Sequence, residues 1–146
     1  MGWSNNWVET KRGYSSFSAC KKIIIKEWVN DIENYLQIAD LLLHTSENES
    51  FGLSILEALS TGVPVVATKA GGVVEVMRDG ETGFLCEIGD IPALTTATKK
   101  ILTDKHLEKI LKTKSLAYVQ NNFSSQTIVQ RYLDYYQKIL DSDCSK

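Results

Sequence analysis

The chain has 146 residues, 43% of them hydrophobic, with 16 Lys and Arg against 18 Asp and Glu and a formal net charge of −2. That length fits one folded domain able to bury roughly 70% of the surface its unfolded chain exposes, and the scattered lysines exclude the clustered basic face that a nucleic acid or an anionic membrane would demand. No apolar run approaches the ~18 residues of a membrane helix, the first 20 residues lack the apolar middle of a secretory leader, and Cys20, Cys86 and Cys144 fit no metal pattern, so a cytoplasmic protein with reduced thiols is expected.

In chain order, residues 1–22 show neither helical nor strand period, although Trp3 and Trp7 sit among them. They read as an irregular arm of unassigned role ahead of a single domain at 23–146. Ile23, Ile24 and Ile25 predict a short buried strand, and Lys21, Lys22 and Lys26 a solvated face. Residues 31–39 predict a helix with Ile32, Tyr35, Leu36 and Ala39 on one face.

The stretch 39–75 predicts a complete βαβ unit: a buried strand at 41–44, a polar loop at 45–50, a helix opening near Gly52, and a second strand at 64–68 closed by Gly71 and Gly72. A crossover of this length forces the strands parallel. It also puts the loop and the helix N-terminus at the carboxyl edge of the sheet, where open α/β sheets bind ligands. Glu49 in the loop and Glu57 in the helix stand eight positions apart. Between them Ser50, Phe51, Gly52 and Leu53 supply backbone N–H groups at a helix start, where unpaired donors and the helix dipole favour an anion. Gly52 is expected to remove the side chain that would keep a phosphate away. A ligand with a phosphate centre and hydroxyls on both sides, a nucleotide sugar, meets all of these features. His44 ends the first strand just before the loop and reads either as a substrate contact or as a satisfied, half-buried histidine.

After this unit, residues 71–78 predict a short helix, Asp79 and Gly80 a turn, and residues 83–86 a short strand. Glu75 reads as a carboxylate offsetting a helix dipole, Cys86 as a small packing residue and His106 as a surface residue at a helix start. Three amphipathic helices follow at 91–102, 107–119 and 125–140, with Asp90 and Pro92, and Ser124 or Ser125, as start signals. On the last, Ile128, Tyr132, Tyr135 and Ile139 form one stripe, expected to be mainly core. The two histidines, His44 and His106, suggest no metal site. The chain also lacks the G-x-G-x-x-G of a dehydrogenase and the early acidic cluster of a flavodoxin-like receiver.

The run E-S-F-G-L-S-I-L-E-A-L, followed by G-V-P-V-V-A-T, A-G-G-V-V-E and D-G-E-T-G-F-L, resembles the donor-binding half of retaining glycosyltransferases of family 4, which have the two-domain GT-B fold. Within that family, S-E-N-E-S-F-G-L and T-G-F-L-C-E-I-G-D are similar to the branch that joins N-acetylglucosamine to L-malate in bacillithiol synthesis. The resemblance implies an α/β fold: a Rossmann-like parallel sheet with flanking helices, forming an incomplete C-terminal GT-B domain that ends in three helices. It implies a UDP-sugar donor, UDP-GlcNAc in the narrower likeness, with Glu57 accepting from the ribose hydroxyls and Glu49 catalytic beside the anomeric carbon. Ser50, Phe51, Gly52 and Leu53 would orient the sugar and the departing diphosphate. It implies no cofactor and no metal, and it makes part of the stripe on the last helix an exposed face docking on the other domain, beside the reading of that stripe as core.

The chain departs from the family in two places. The family's strand-ending glycine falls near Glu27 by counting back from Asp31, and the early glycine-arginine and lysine-glycine pair that clamps the diphosphate does not precede Ile23. A small acceptor such as L-malate would reach the site through an N-terminal domain, so this chain alone is expected to be inactive. A non-catalytic donor-binding or interaction module of a split glycosyltransferase, completed by a partner chain or a homo-oligomer, and a degenerate remnant are the alternatives.

Overall fold

The computed structural model describes residues 24, 26 and 28–143. The chain divides into two units after Ile32, and the second holds every element below except the first residue of the first helix. In the first unit Trp28 Nε1 donates to Asn30 Oδ1 at 2.7 Å. The strand expected at Ile23 to Ile25 lies outside the described residues apart from Ile24, which is exposed. The arm at 1–22 and the position at Glu27 also lie outside them.

The elements run α1 (Ile32–Ile38), β1 (Leu42–His44), α2 (Leu53–Ser60), β2 (Val65–Thr68), α3 (Val73–Val76), β3 (Gly83–Cys86), α4 (Ile91–Thr103), α5 (Lys105–Phe123) and α6 (Ser125–Asp143). All strand pairs are parallel, in the order β1-β2-β3, with Leu42 opposite Val65 and Val65 opposite Gly83. The expected βαβ unit is therefore present as β1-α2-β2. Each strand ends at the same edge, so the loop after β1 and the turn after β2 meet there.

Strand β2 is the centre, and its four residues Val-Val-Ala-Thr are all buried. A parallel strand covered on both faces must be apolar or β-branched throughout, and this one is. On one face Val66 packs with Cys86, Leu94, Ile101 and Leu111, so that α4 and α5 close that layer. By the twofold alternation of a strand, Val65 and Ala67 face the other side. Ile55 and Leu59 of α2 are fully buried, as are Val73 and Val76 of α3. The hydroxyl of buried Ser115 on α5 donates to Thr82 O at 3.2 Å, pinning that helix to the turn ahead of β3.

Several expectations are corrected in detail. Strand β1 is half-exposed rather than buried, with Leu43 at 49%, because it forms an edge of the described sheet. On α1 only Leu36 is buried, and Tyr35 faces solvent. The helix expected at 71–78 shrinks to the single turn of α3, since Gly71 is left-handed at φ 48° and Met77 is extended at φ −110°, ψ 156°. Helix α5 begins two residues earlier than expected because the Asp104 carboxylate accepts from His106 N at 3.0 Å and Leu107 N at 2.9 Å, a cap the sequence reading missed.

The caps at Asp90 and Ser124 behave as expected. Asp90 Oδ1 accepts from Ala93 N at 2.9 Å and Ser124 Oγ from Thr127 N at 3.3 Å. The stripe on α6 is not core: Tyr132, Tyr135 and Ile139 are exposed, Ile128 is half-buried, and no residue of the helix is fully buried. Its period is that of an amphipathic helix, but the elements packed against it reach only its first turns.

Candidate functional site

The candidate site lies at the carboxyl edge of the sheet, where 45–52 leads from β1 into α2. Helix α2 starts on Gly52, whose φ of 89° and ψ of 49° place it in the left-handed region that favours glycine. A Cβ there would point back into the protein, 3.3 Å from Ile55 Cδ1 and 3.8 Å from Glu49 Cγ. Gly52 is thus required by its backbone conformation, a reason the sequence reading did not include.

Glu49 Oε1 accepts from the N–H of the N-cap residue Gly52 at 3.2 Å and more weakly from Phe51 N ahead of it at 3.4 Å, while no side chain caps the first turn itself. The carboxylate therefore sits on two of the four N–H groups expected to face a ligand, near the positive end of the helix dipole. Its other oxygen, Oε2, lies 3.3 Å from His44 Nε2, and both side chains are mostly buried, 14% and 24% exposed. The pair is a close approach and not a hydrogen bond, and His44 Nε2 is left without a hydrogen-bond partner among the described residues. His44 is thus half-buried, as one of its two readings had it, but its Nε2 is not satisfied as that reading expected, and the ring is placed against the candidate catalytic carboxylate.

Two further segments hold the loop. Thr68, the last residue of β2, donates its hydroxyl to Ser46 O, and the N–H of Gly72 donates to Glu49 O at 3.0 Å. Neither Thr68 nor Gly72 was singled out as a site residue from the sequence; the adjacent glycines after a buried strand were the available signal.

Glu49, Phe51 and Gly52 are thus brought together by direct hydrogen bonds, and Ser50 lies against Gly72. Leu53 is 66% exposed at the start of α2. Glu57 stands on the exposed side of α2, and no hydrogen bond or ion pair among the described residues joins it to Glu49. The Phe51 ring turns away from the loop and meets Phe123 edge-on, with centroids 6.5 Å apart. Phe51, Leu56, Phe123, Ile128, Tyr132 and Tyr135 line an apolar groove of about 530 Å³ between α2 and α6, with Arg131 at its side.

The remaining titratable groups at this edge are structural. Burial pushes the Cys86 thiol up, with Asp90 and Asp79 adding to the shift, so it stays protonated at neutral pH and packs as expected. The Lys69 ammonium is held above its ordinary value by its hydrogen bond and charge contact with Glu87 at 2.6 Å. Glu75 lies in the first turn of α3, where its carboxylate was expected. Among the described residues no cluster of three or more His, Cys, Asp or Glu could hold a metal ion. No helix among them is long and apolar enough to cross a membrane.

A parallel sheet with flanking helices, carrying a loop-to-helix donor edge, is the architecture expected for a GT-B glycosyltransferase domain. Residues 15–117 match the family described as Glycosyl transferases group 1, and the chain belongs to that family. The N-acetyl-alpha-D-glucosaminyl L-malate synthase of Bacillus anthracis is 37% identical over 114 residues, covering 78% of this chain and 30% of that enzyme. Among solved structures, Anabaena HepE in complex with UDP superposes with a TM-score of 0.70 at 32% identity, over 75% of this chain and 30% of its own. The complex of HepE with UDP-glucose gives 0.69 at 31% identity, over 76% and 31%. The chain therefore spans about 30% of the length of these relatives.

Proposed function

We propose that this chain is the nucleotide-sugar half of a retaining glycosyltransferase that takes a UDP-sugar, UDP-GlcNAc by preference, and passes the sugar to a small hydroxyl acceptor such as L-malate, in the cytoplasm. The observation that carries the reading is the Glu49 carboxylate held on Phe51 and Gly52 N–H at the N-terminus of α2, at the carboxyl edge of a parallel sheet. Two likenesses support it: the malate synthase among its relatives, and HepE solved with UDP and UDP-glucose.

In this reading Glu57 accepts hydrogen bonds from both ribose hydroxyls, a charged contact worth about 2–3 kcal/mol. The diphosphate approaches the first turn of α2 and takes over N–H groups of Ser50, Phe51, Gly52 and Leu53. Glu49 leaves the Phe51 and Gly52 N–H groups for a sugar hydroxyl beside the anomeric carbon, an exchange of one anion for another at the same helix end. As the bond from the anomeric carbon to the diphosphate breaks, charge grows on the leaving oxygen, and N–H donors fixed by the fold stabilise it. The new bond forms to the acceptor oxygen, whose proton is released, and UDP departs. The acceptor and a positioned base come from outside these residues, and proximity of that kind supplies several kcal/mol of barrier lowering. Without them the chain binds donor and does not turn it over.

A second reading, a donor-binding module completed by a separate chain, is favoured by the exposed apolar face of α6. Titrating the purified chain with UDP, UDP-glucose and UDP-GlcNAc, followed by heat release, tests the first. Saturable binding with an advantage for the acetylated sugar is expected. A cooperatively melting chain that binds none of the three refutes a working donor site.

A further inference from the structure

We infer that Gly72, seconded by Gly71, is a positioning residue for Glu49: the turn after β2 is a backbone clamp that sets where the loop carboxylate stands. The role given to Glu49 rests on the donor-site reading above; the clamp itself rests on geometry.

A Cβ built on Gly71 would lie 1.9 Å from Glu49 O and 3.1 Å from its carbonyl carbon, and one on Gly72 would lie 2.3 Å from Ser50 O and 2.9 Å from Phe51 Cα. These are main-chain atoms, so no rotamer change relieves the overlap and one of the two segments must move. Gly72 N–H donates to Glu49 O at 3.0 Å across the same contact, so the clamp attracts at one atom and excludes at the next. Gly71 has a second reason to be glycine in its φ of 48°. Gly72 has none: at φ −69° and ψ −8° it is helical, a conformation alanine adopts freely, so only the close approach requires glycine there.

The two sides of the clamp are unequally anchored. Behind Gly72, Val73 and Val76 are fully buried, and Val73 N donates to Ala70 O at 3.1 Å. Opposite, Glu49 and Ser50 lie in a loop tied at Ser46 by Thr68 and at Gly52 by the Glu49 side chain itself. A methyl group at position 72 therefore displaces the loop and leaves the core in place, and the displaced Glu49 main chain carries its carboxylate off Phe51 and Gly52 N–H.

The test is Gly72→Ala, with Gly80→Ala as control: at φ 73° alanine is strained there, but its Cβ meets nothing within 4 Å, so the control carries backbone strain without the close approach. The Phe51 and Gly52 amide protons are bonded to Glu49 Oε1 in the wild type and are expected to exchange slowly with solvent. Gly72→Ala is expected to speed that exchange about tenfold or more and to shift both resonances while amides of α4 and α5 keep their positions, and Gly80→Ala to leave both unchanged. In parallel, Gly72→Ala is expected to lower UDP-GlcNAc affinity about tenfold and to weaken UDP less, because the displaced loop carries Glu49 together with the Ser50 and Phe51 N–H groups while Glu57 lies outside the clamp. Unchanged exchange and resonance positions of the Phe51 and Gly52 amides in Gly72→Ala overturn the clamp. Failure of the wild type to bind either ligand sinks the donor-site reading and leaves the amide result to decide the clamp. Should the variant not fold, hydrogen exchange of wild-type Gly72 N–H decides: protection comparable to β2 amides is expected, and exchange at the rate of an open loop contradicts it.

Discussion

The carboxyl-edge loop at 45–52 and the helix α6 are both far from the centre of the core, yet they are held in opposite ways. The loop has little apolar burial and is fixed by polar main-chain contacts: Thr68 to Ser46 O, Gly72 N to Glu49 O, and Glu49 to Phe51 and Gly52 N. Helix α6 has abundant apolar side chains and no fully buried residue, with Tyr132 at 59% and Leu140 at 62% exposed. A segment that must present a carboxylate at one place is over-determined by hydrogen bonds and close packing. A segment that presents an apolar face is left largely uncovered among the described residues.

The contrast is sharpened first by truncating the core beneath both. Leu111→Ala and Ile101→Ala, at fully buried positions of α5 and α4, should each cost about 2–5 kcal/mol, read by chemical denaturation. A loss below about 1 kcal/mol would mean that the packing of α4 and α5 on β2 is looser than described. At the loop, Glu57→Ala should weaken UDP and UDP-GlcNAc alike by about 2 kcal/mol, roughly 30-fold, in a calorimetric titration. Glu49→Ala should remove the advantage of UDP-GlcNAc over UDP and, by deleting the hydrogen bonds from Phe51 and Gly52 N, lower stability by about 1 kcal/mol. Equal effects of the two substitutions on UDP itself would break the division of labour between the glutamates.

The thiol at the same edge makes a smaller, pH-dependent prediction. The Cys86 pKa is raised in the folded state by burial and by Asp90 and Asp79, so above the ordinary thiol value of 9.0 the unfolded chain ionises first and binds fewer protons than the native one. That contribution to stability is intact below this pH and declines as pH rises above it. Denaturation midpoints of wild type and Cys86→Ala, each relative to its own value at pH 7, should diverge only on the alkaline side. Smallest of all, Tyr132→Ser and Tyr136→Ser on α6 should change stability by no more than about 0.5 kcal/mol; a larger loss would show that the helix has partners within this chain.

Much of this architecture was legible in the residues because it rests on local rules. The strands Val65–Thr68 and Gly83–Cys86 were recognisable from β-branched and apolar runs bounded by turn residues, and α4 from Asp90 and Pro92. The family resemblance was carried by contiguous motifs, and the match over residues 15–117 agrees with it. The clamp was not legible, since Gly72 and Glu49 stand 23 positions apart and meet only after β2 pairs beside β1. Periodicity alone pointed to core at α6, and the resemblance to an exposed docking face: an amphipathic stripe predicts that a helix has an apolar side, not which surface covers it. Likewise, composition places N–H donors at a helix start but does not reveal that Glu49 has already taken two of them.

The most direct measurement is a backbone amide shift map of the chain on addition of UDP. If the carboxyl edge is the donor site, the perturbed amides are those of 49–57 and 71–72, and α6 is silent. Perturbations confined to the apolar groove of Phe123, Ile128 and Tyr132, with Glu49 to Glu57 unmoved, would contradict the account.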